Sequence, residues 1–317
     1  MKTPAFWYRH KGFRSTAMLP LAGLYQLGGM ARRIITTPYA SRIPVICIGN
    51  IVAGGAGKTP VALAVAKILK DKGAKPVFVT RGYGGKEAGP LLVDVARHTA
   101  KDVGDEALLL AREAPVWVGR DRAAAIIAAE SDASHIIMDD GLQNPGVKPS
   151  LSFLVIDGET GLGNGRILPA GPLRETLGSA MGRINAIIIV GGHDAQNIAS
   201  RSKHPVIRAT WQPRLPEGFP KAANFLAFAG IGRPEKFYRT CSNAGLHLVA
   251  KRDFADHHAF TEAEMQDLLK NAKAKNAQLL TTEKDWVRLP EAWRNQVVPF
   301  PVTLVFDQPE KLKALVA

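Results

Sequence analysis

The sequence predicts an α/β protein built on a mostly parallel sheet, with a second, smaller α/β domain after it. Three observations lead there. Short continuous apolar runs, such as Ile136-Ile137-Met138 and Ile187-Ile188-Ile189-Val190, alternate with helical stretches, and runs of that kind suit strands covered by helices on both faces. A glycine-rich turn at residues 52–60 joins one such run to a helix. Prolines then crowd residues 204–223, and beyond them the alternation starts again on a smaller scale.

The first alternation places strands at 45–49, 77–80, 115–118, 135–139, 152–156 and 186–190, with helices at 59–72, 104–113 and 120–131. Next come His204-Pro205, Gln212-Pro213, Leu215-Pro216 and Phe219-Pro220. Proline holds itself and its predecessor in extended conformations, so this stretch reads as an extended connector. After it come a strand at 224–229, a helix at 234–244, strands at 246–250 and 277–282 around a helix at 261–274, and a strand at 297–306. The division expected is a first domain over residues 1–217 and a smaller one over 218–317. A cleft between two such lobes is a natural place for a substrate.

Apolar residues make up 46% of the 317-residue chain and charged ones 22%, proportions of a folded rather than a disordered protein. Cys47 and Cys241 lie far apart and no Cys or His spacing suggests zinc, which fits a reducing compartment such as the cytoplasm. The formal charge is +13, and no acidic residue precedes Asp71. Lys2, Arg9, Lys11, Arg14, Arg32, Arg33 and Arg42 are all basic, and Ser15–Ala31 between them is largely apolar. That stretch is shorter than the roughly 20 residues a membrane span needs, and Gln26, Gly28 and Gly29 interrupt it. It also lacks a small-x-small cleavage site, so neither a transmembrane helix nor a signal peptide is expected. With Trp7 and Tyr8 ahead of it, it suits a helix lying in an anionic membrane interface. The plainer alternative is a helix packed on the domain with its cations in water. No zinc-finger, RNP-type or repeated basic–aromatic pattern occurs, so nucleic acid is not an expected partner, and no obligate protein partner is evident.

The turn reads Val52-Ala53-Gly54-Gly55-Ala56-Gly57-Lys58-Thr59-Pro60, between the apolar run Val45–Ile48 and a helix from Val61. Glycines let backbone N–H groups curl round an anion, and the helix start adds unpaired N–H groups and a positive dipole end. Lys58 can reach the β- and γ-phosphates of ATP, and the Thr59 hydroxyl can join the shell of Mg²⁺. The sequence is therefore P-loop NTPase-like, with Val52, Ala53, Gly54, Gly55, Ala56, Gly57, Lys58 and Thr59 as the nucleotide-binding segment. It departs from G-x-x-x-x-G-K-[ST] at the first glycine, where Val52 stands.

Several other segments offer chemistry. Asp139 and Asp140 close the run Ile136-Ile137-Met138; an Asp at a strand tip beside a phosphate cradle can hold magnesium, or simply begin a turn. Asp105 and Glu106 stand at a helix start, where they can cap it, or Asp105 can act as a base toward a hydroxyl. Asp256-His257-His258 precedes Thr261-Glu262-Ala263-Glu264, a capping box that leaves the histidines on a loop. In Leu168-Pro169-Ala170-Gly171-Pro172-Leu173-Arg174-Glu175, Arg174 suits phosphate and Glu175 suits magnesium, or the two form a solvated ion pair. Thr80-Arg81-Gly82-Tyr83-Gly84-Gly85 and Thr281-Thr282-Glu283-Lys284-Asp285 are further loops at strand ends.

In this order the motifs resemble one family, the tetraacyldisaccharide 4′-kinases of lipid A biosynthesis. The resemblance rests on Gly49-Asn50, Gly54–Pro60, Arg81-Gly82-Tyr83-Gly84, Val103-Gly104-Asp105-Glu106, Asp139-Asp140-Gly141-Leu142-Gln143, Leu168–Glu175, Asp256-His257-His258 and Thr282-Glu283-Lys284-Asp285. That family also lacks the first glycine of the loop. The resemblance implies transfer of the γ-phosphate of ATP to the 4′-hydroxyl of a tetraacylated disaccharide 1-phosphate, giving lipid IVA. It implies a basic N-terminal helix on the cytoplasmic face of the bacterial inner membrane, where the lipid substrate stays. It gives Asp105 the role of base assisted by His257, with Lys58 orienting phosphates. Thr59, Asp139 and Glu175 become the magnesium contacts, and Arg81, Arg174, Asp140 and Gln143 the substrate contacts. A competing reading is a regulatory ATPase switch of the partitioning or metal-chaperone type, which usually has a lysine where this chain has Ala53. A membrane-binding module with a vestigial nucleotide site is a third.

Overall fold

The structure, a computed structural model, describes residues 4–8, 12–192, 198, 200 and 202–316. The basic residues Lys2, Arg9 and Lys11 lie outside them. Strands β1 (Val45–Gly49), β2 (Pro76–Thr80), β3 (Leu91–Leu92), β4 (Val116–Val118), β5 (His135–Asp139), β6 (Leu151–Asp157), β7 (Ala186–Val190) and β8 (Val206–Pro213) belong to one sheet. Strands β9 (Asn224–Ala229), β10 (His247–Asp253), β11 (Ala277–Thr282) and β12 (Val297–Phe300) form a second, and β13 (Val302–Phe306) rejoins the first. The helices that matter for the site are α1 (Phe13–Ala17), α2 (Leu19–Ile35), α3 (Lys58–Asp71), α4 (Asp105–Leu110), α5 (Arg122–Ala129), α6 (Pro234–Asn243), α7 (Glu262–Ala274), α8 (Glu283–Trp286) and α9 (Pro309–Val316).

The large sheet runs β13-β8-β7-β6-β1-β5-β2-β4-β3, parallel except for the edge pairings of β13 and β3. Apolar runs at β1, β2 and β7 are buried along their whole length. They can be, because separate clusters cover the two faces: Val61, Val65 and Leu69 of α3 on one, Ala125, Ile126 and Ala129 of α5 on the other. β1 lies between β6 and β5. Strand order reverses there, so the loop leaving β1 opens into the crevice where open α/β sheets bind ligands.

Three expectations change. The connector expected over 204–223 is in part a strand. β8 pairs in parallel with β7 and antiparallel with β13, and Pro205 and Pro213 stand just outside and at its ends, where proline is tolerated. The single strand expected over 297–306 is two, split at Pro301, which has no N–H to continue a ladder. β12 completes the small parallel sheet, ordered β10-β9-β11-β12. Residues 302–316, expected with the smaller domain, return to the large sheet, where Leu312 and Val316 of α9 share a core with Leu69.

Candidate active site

The turn after β1 is a cradle held open from behind. Val52 forms a β-bridge with Leu173, and Ala53 N–H donates to the Pro172 carbonyl at 2.7 Å. The loop thus starts as an extension of the strand, buried against its neighbour, which is why a valine stands in place of glycine. Asn50 shapes the rest: its amide donates to the Val52 carbonyl at 2.7 Å and its Oδ1 accepts from Lys58 Nζ at 3.3 Å. Gly57 adopts φ +86° as the residue before α3, a left-handed conformation that glycine takes without steric cost. No side chain caps α3, so its first N–H groups remain for an anion.

At the tip of β5 the two aspartates separate. Asp139 accepts from the Thr59 hydroxyl at 2.9 Å, while Asp140 meets Lys58 at 3.7 Å and takes two hydrogen bonds from Arg174 Nη1 at 3.0 and 3.1 Å. Burial pushes the Asp139 carboxyl up to about 6, against the pull of Lys58. Burial acts on Asp140 too, but Lys58 and Arg174 outweigh it and hold that carboxyl below its ordinary value. Asp139 Oδ1 is buried with no hydrogen-bond partner. A lone carboxylate oxygen beside a hydroxyl is a hard-oxygen donor set of the kind magnesium takes, so Thr59 and Asp139 fit the ion.

Glu175 does not share that site. Its Oε2 accepts from Arg33 Nη2 at 2.7 Å, from Ser179 at 3.1 Å and from Arg183, and its Oε1 accepts from Gln143 at 3.0 Å. Burial would raise its carboxyl, yet Gln143, Arg183 and Arg33 together hold it below its ordinary value. A carboxylate so furnished ties α2 to the large domain, and we propose that it does so in place of the magnesium contact expected of it. Gln143 also donates to the Asn50 carbonyl at 2.7 Å. Arg81, Asp140, Gln143 and Arg174 all face the cleft.

Across the cleft, the loop after β10 brings His257 to Asp105, Nδ1 to Oδ2 3.0 Å. His257 has φ +58° and its ring meets Tyr83 edge-on at 5.5 Å. Its neighbour His258 turns away, stacks on Phe254 and donates to Glu264, so the structure separates two residues that adjacency in sequence could not. The capping box at Thr261 and Glu264 forms, whereas Asp105 is not the N-cap of α4: its Oδ1 accepts from the Glu106 N–H at 3.0 Å, and Gly104 precedes the helix, at φ +85°. A Cβ there would lie 2.4 Å from the Tyr83 carbonyl oxygen, so only glycine lets Asp105 approach that loop.

Asp105 is 3% exposed and lies behind His257. Burial favours its neutral form, but the hydrogen bond from His257 and the charge of Lys284 at 3.8 Å overcome this and hold the carboxyl well below its usual range; Arg288 also lies 3.4 Å away. The hydrogen bond to Asp105 in turn raises His257 above its ordinary value. Lys284 also meets Glu106 at 2.7 Å. Asp105, Glu106 and His257 offer three ligand atoms within 4.8 Å of one another, but these two neighbouring cations already balance the carboxylates.

Sequence reasoning missed a second inter-lobe cluster. Asp157, at the end of β6, pairs with Arg233 and with Lys236 at 3.2 Å; Glu159 pairs with Arg239. Its signal lay in Gly230-Ile231-Gly232-Arg233-Pro234, a glycine-bracketed turn after an apolar strand, the same pattern as the cradle. The cradle, Asp139, Asp140, His257, Lys284 and Arg233 all line one cleft of about 2440 Å³. Typical small-molecule sites hold about 300–1,000 Å³, so there is room for a nucleotide and a second substrate together.

A family model described as tetraacyldisaccharide-1-P 4′-kinase matches residues 14–317. The chain is 46% identical over 330 residues to a tetraacyldisaccharide 4′-kinase of Rhodospirillum centenum, covering all of this chain and 96% of that one. It is 49% identical over 301 residues to a protein of the same name from Parvibaculum lavamentivorans, covering 92% and 88%. A crystal structure of LpxK from Aquifex aeolicus in complex with ATP superposes with a TM-score of 0.77 at 25% identity, over 95% of this chain and 98% of that one.

Proposed function

The chain belongs to the tetraacyldisaccharide-1-P 4′-kinase family, and from that premise we propose how its residues divide the work. It is an ATP-dependent kinase of lipid A biosynthesis, phosphorylating the 4′-hydroxyl of tetraacyldisaccharide 1-phosphate to give lipid IVA. One observation carries the assignment of residues: the cradle with Lys58 and Thr59 and the Asp105–His257 pair, from opposite lobes, open on a single cleft.

In the transfer, the acceptor oxygen bonds to the γ-phosphorus while the bond to the β–γ bridging oxygen breaks, its electron pair leaving with ADP. Lys58 and the N–H groups of Gly54–Thr59 hold the phosphates, while Val52 and Ala53 anchor the start of the loop. The hydroxyl proton passes to the Asp105–His257 pair. Because His257 meets the cleft and Asp105 stands behind it, His257 Nε2 takes the proton. Asp105 fixes the ring through Nδ1–H and balances the charge, the reverse of the division expected from sequence. Thr59 and Asp139 would hold Mg²⁺, which supplies neutralisation of charge on the phosphate oxygens. Arg81, Arg174, Asp140 and Gln143 place the disaccharide headgroup, supported by their position on the cleft wall.

The same reading puts α2 on an anionic membrane surface, at the cytoplasmic face of the inner membrane. No described helix is long and apolar enough to cross a membrane. α2 nonetheless exposes Leu21, Leu24, Leu27, Ile34 and Ile35, and Arg33 fixes it to Glu175. Exposed apolar residues on a helix without acids suit shallow burial among headgroups. Incubation with γ-labelled ATP and the disaccharide lipid in detergent tests the assignment. Label on lipid is expected; ATP hydrolysis with unlabelled lipid would instead support the switch ATPase.

A further inference from the structure

The turn that leaves β9 carries a cation not yet given a task. Arg233 Nη2 lies 3.4 Å from the carbonyl oxygen of Gly55 in the cradle, and its guanidinium grips Asp157 with both nitrogens. Lys236, three residues on, reaches the same carboxylate at 3.2 Å. Asp157 ends the strand next to β1 and is 6% exposed. Two cations therefore share one buried carboxylate at the rim of a site that takes a polyanion. The same turn also steadies the proton acceptor: the Gly230 carbonyl accepts from His257 N–H and from Arg288 Nη2, each at 3.0 Å.

We infer that Arg233 is a catalytic cation delivered in cis by the small lobe, resting on Asp157 in the free enzyme and turning to the transferring phosphates when ATP fills the cradle. The inference rests on the kinase reading above. A guanidinium fork fits phosphate oxygens as well as carboxylate oxygens, and a triphosphate offers more negative charge than one aspartate. Because Arg233 already overlies the loop at Gly55, a side-chain rotation suffices to bring it to bear. A merely structural tie between lobes predicts something else: Asp157 and Arg233 would be equal partners, and loss of either would loosen the same contact.

The test uses the full chain in detergent with labelled ATP and the disaccharide lipid. It compares Arg233→Ala, Arg233→Lys and Asp157→Asn for kcat, KM for ATP and melting temperature. Arg233→Ala is expected to lower kcat on the order of 10³-fold, as loss of an arginine finger does. Arg233→Lys should recover only a fraction of that, lacking the planar fork. Asp157→Asn should lower KM for ATP about threefold, or about 0.65 kcal/mol of binding, because Arg233 is no longer shared. The inference is overturned if Arg233→Ala keeps kcat near the wild-type value, or if Asp157→Asn and Arg233→Ala both weaken ATP binding to the same degree. Should Arg233→Ala melt before assay, the lysine and Asp157 variants decide alone. Failure of the wild type itself to label lipid would sink the kinase reading rather than this one.

Discussion

Replacing Asp105 by Asn tests the proton-accepting pair most sharply. The substitution keeps the shape and removes the charge that faces His257 Nδ1 at 3.0 Å. At an effective dielectric of about 20, unit charges at that separation attract by about 5 kcal/mol. That figure is an upper bound on what His257 loses as it takes up the hydroxyl proton. Loss of a general base typically costs about 10²–10⁴ in rate, or about 3–5 kcal/mol, so the two scales agree. The pH profile carries the sign. Asp105 raises the pKa of His257, so the neutral, proton-accepting ring gains population only as pH climbs through that raised value. Wild-type kcat/KM should therefore rise with pH above the ordinary imidazole range. Asp105→Asn should lower the plateau and move the rising limb to lower pH, with ATP affinity intact. The assay is label transfer from ATP to lipid in detergent between about pH 5.5 and 9, from below the ordinary imidazole value of about 6.5 to well above it, with melting temperature as a check on folding. An unchanged plateau and limb would remove the pair from the mechanism.

Three further outcomes follow from the same geometry. Asp139→Asn should raise the Mg²⁺ concentration for half-maximal transfer by about 10–100-fold, the scale seen when a metal site loses a supporting group; an unaltered metal titration would put the ion elsewhere. Glu175→Gln should leave that titration alone but lower stability by about 1–3 kcal/mol, as for a buried hydrogen-bonding group deprived of its partner, read by urea unfolding. Its folded-state pKa is depressed, so this contribution is present above the ordinary carboxylate pKa and fades as pH falls through the folded value; a gap between variant and wild type that persists in acid contradicts it. Leu24→Glu with Leu27→Glu should weaken flotation with anionic vesicles by at least about 100-fold, since each buried leucine is worth about 1.5–3 kcal/mol, while transfer to lipid in detergent survives; equal flotation would mean that α2 does not touch the bilayer.

The parts of this molecule legible in the sequence are those with local rules. β1, β7 and β9 show as apolar runs, α7 as a capping box, and the cradle as a glycine pattern before Lys58 and Thr59. What stayed hidden depends on distance. Asp157 and Arg233 lie 76 residues apart and Asp105 and Arg288 still further, and acids and cations are ordinary surface residues until a fold opposes them. Glu175 beside Arg174 reads as one more charged pair; only the arrival of Arg33 and Arg183 shows what it holds. Proline density marked 204–223 as extended, but extended chain becomes strand β8 only where β7 and β13 offer partners. Pro301 gave no sign that the chain changes sheets there, because a break in a ladder reads the same whichever sheet follows.

The central claim is a site split between lobes, with the phosphate held by one and the proton taken by the other. Its most direct test is single-turnover transfer of labelled phosphate to the 4′-oxygen, located in the product by phosphorus–proton NMR correlation, for the wild type, Lys58→Ala and His257→Ala. The account predicts 4′-phosphate from the wild type, with each variant slowed by at least about 10²-fold and His257→Ala still binding ATP. A His257→Ala enzyme that forms 4′-phosphate at the wild-type rate would leave the whole site on the large lobe and contradict it.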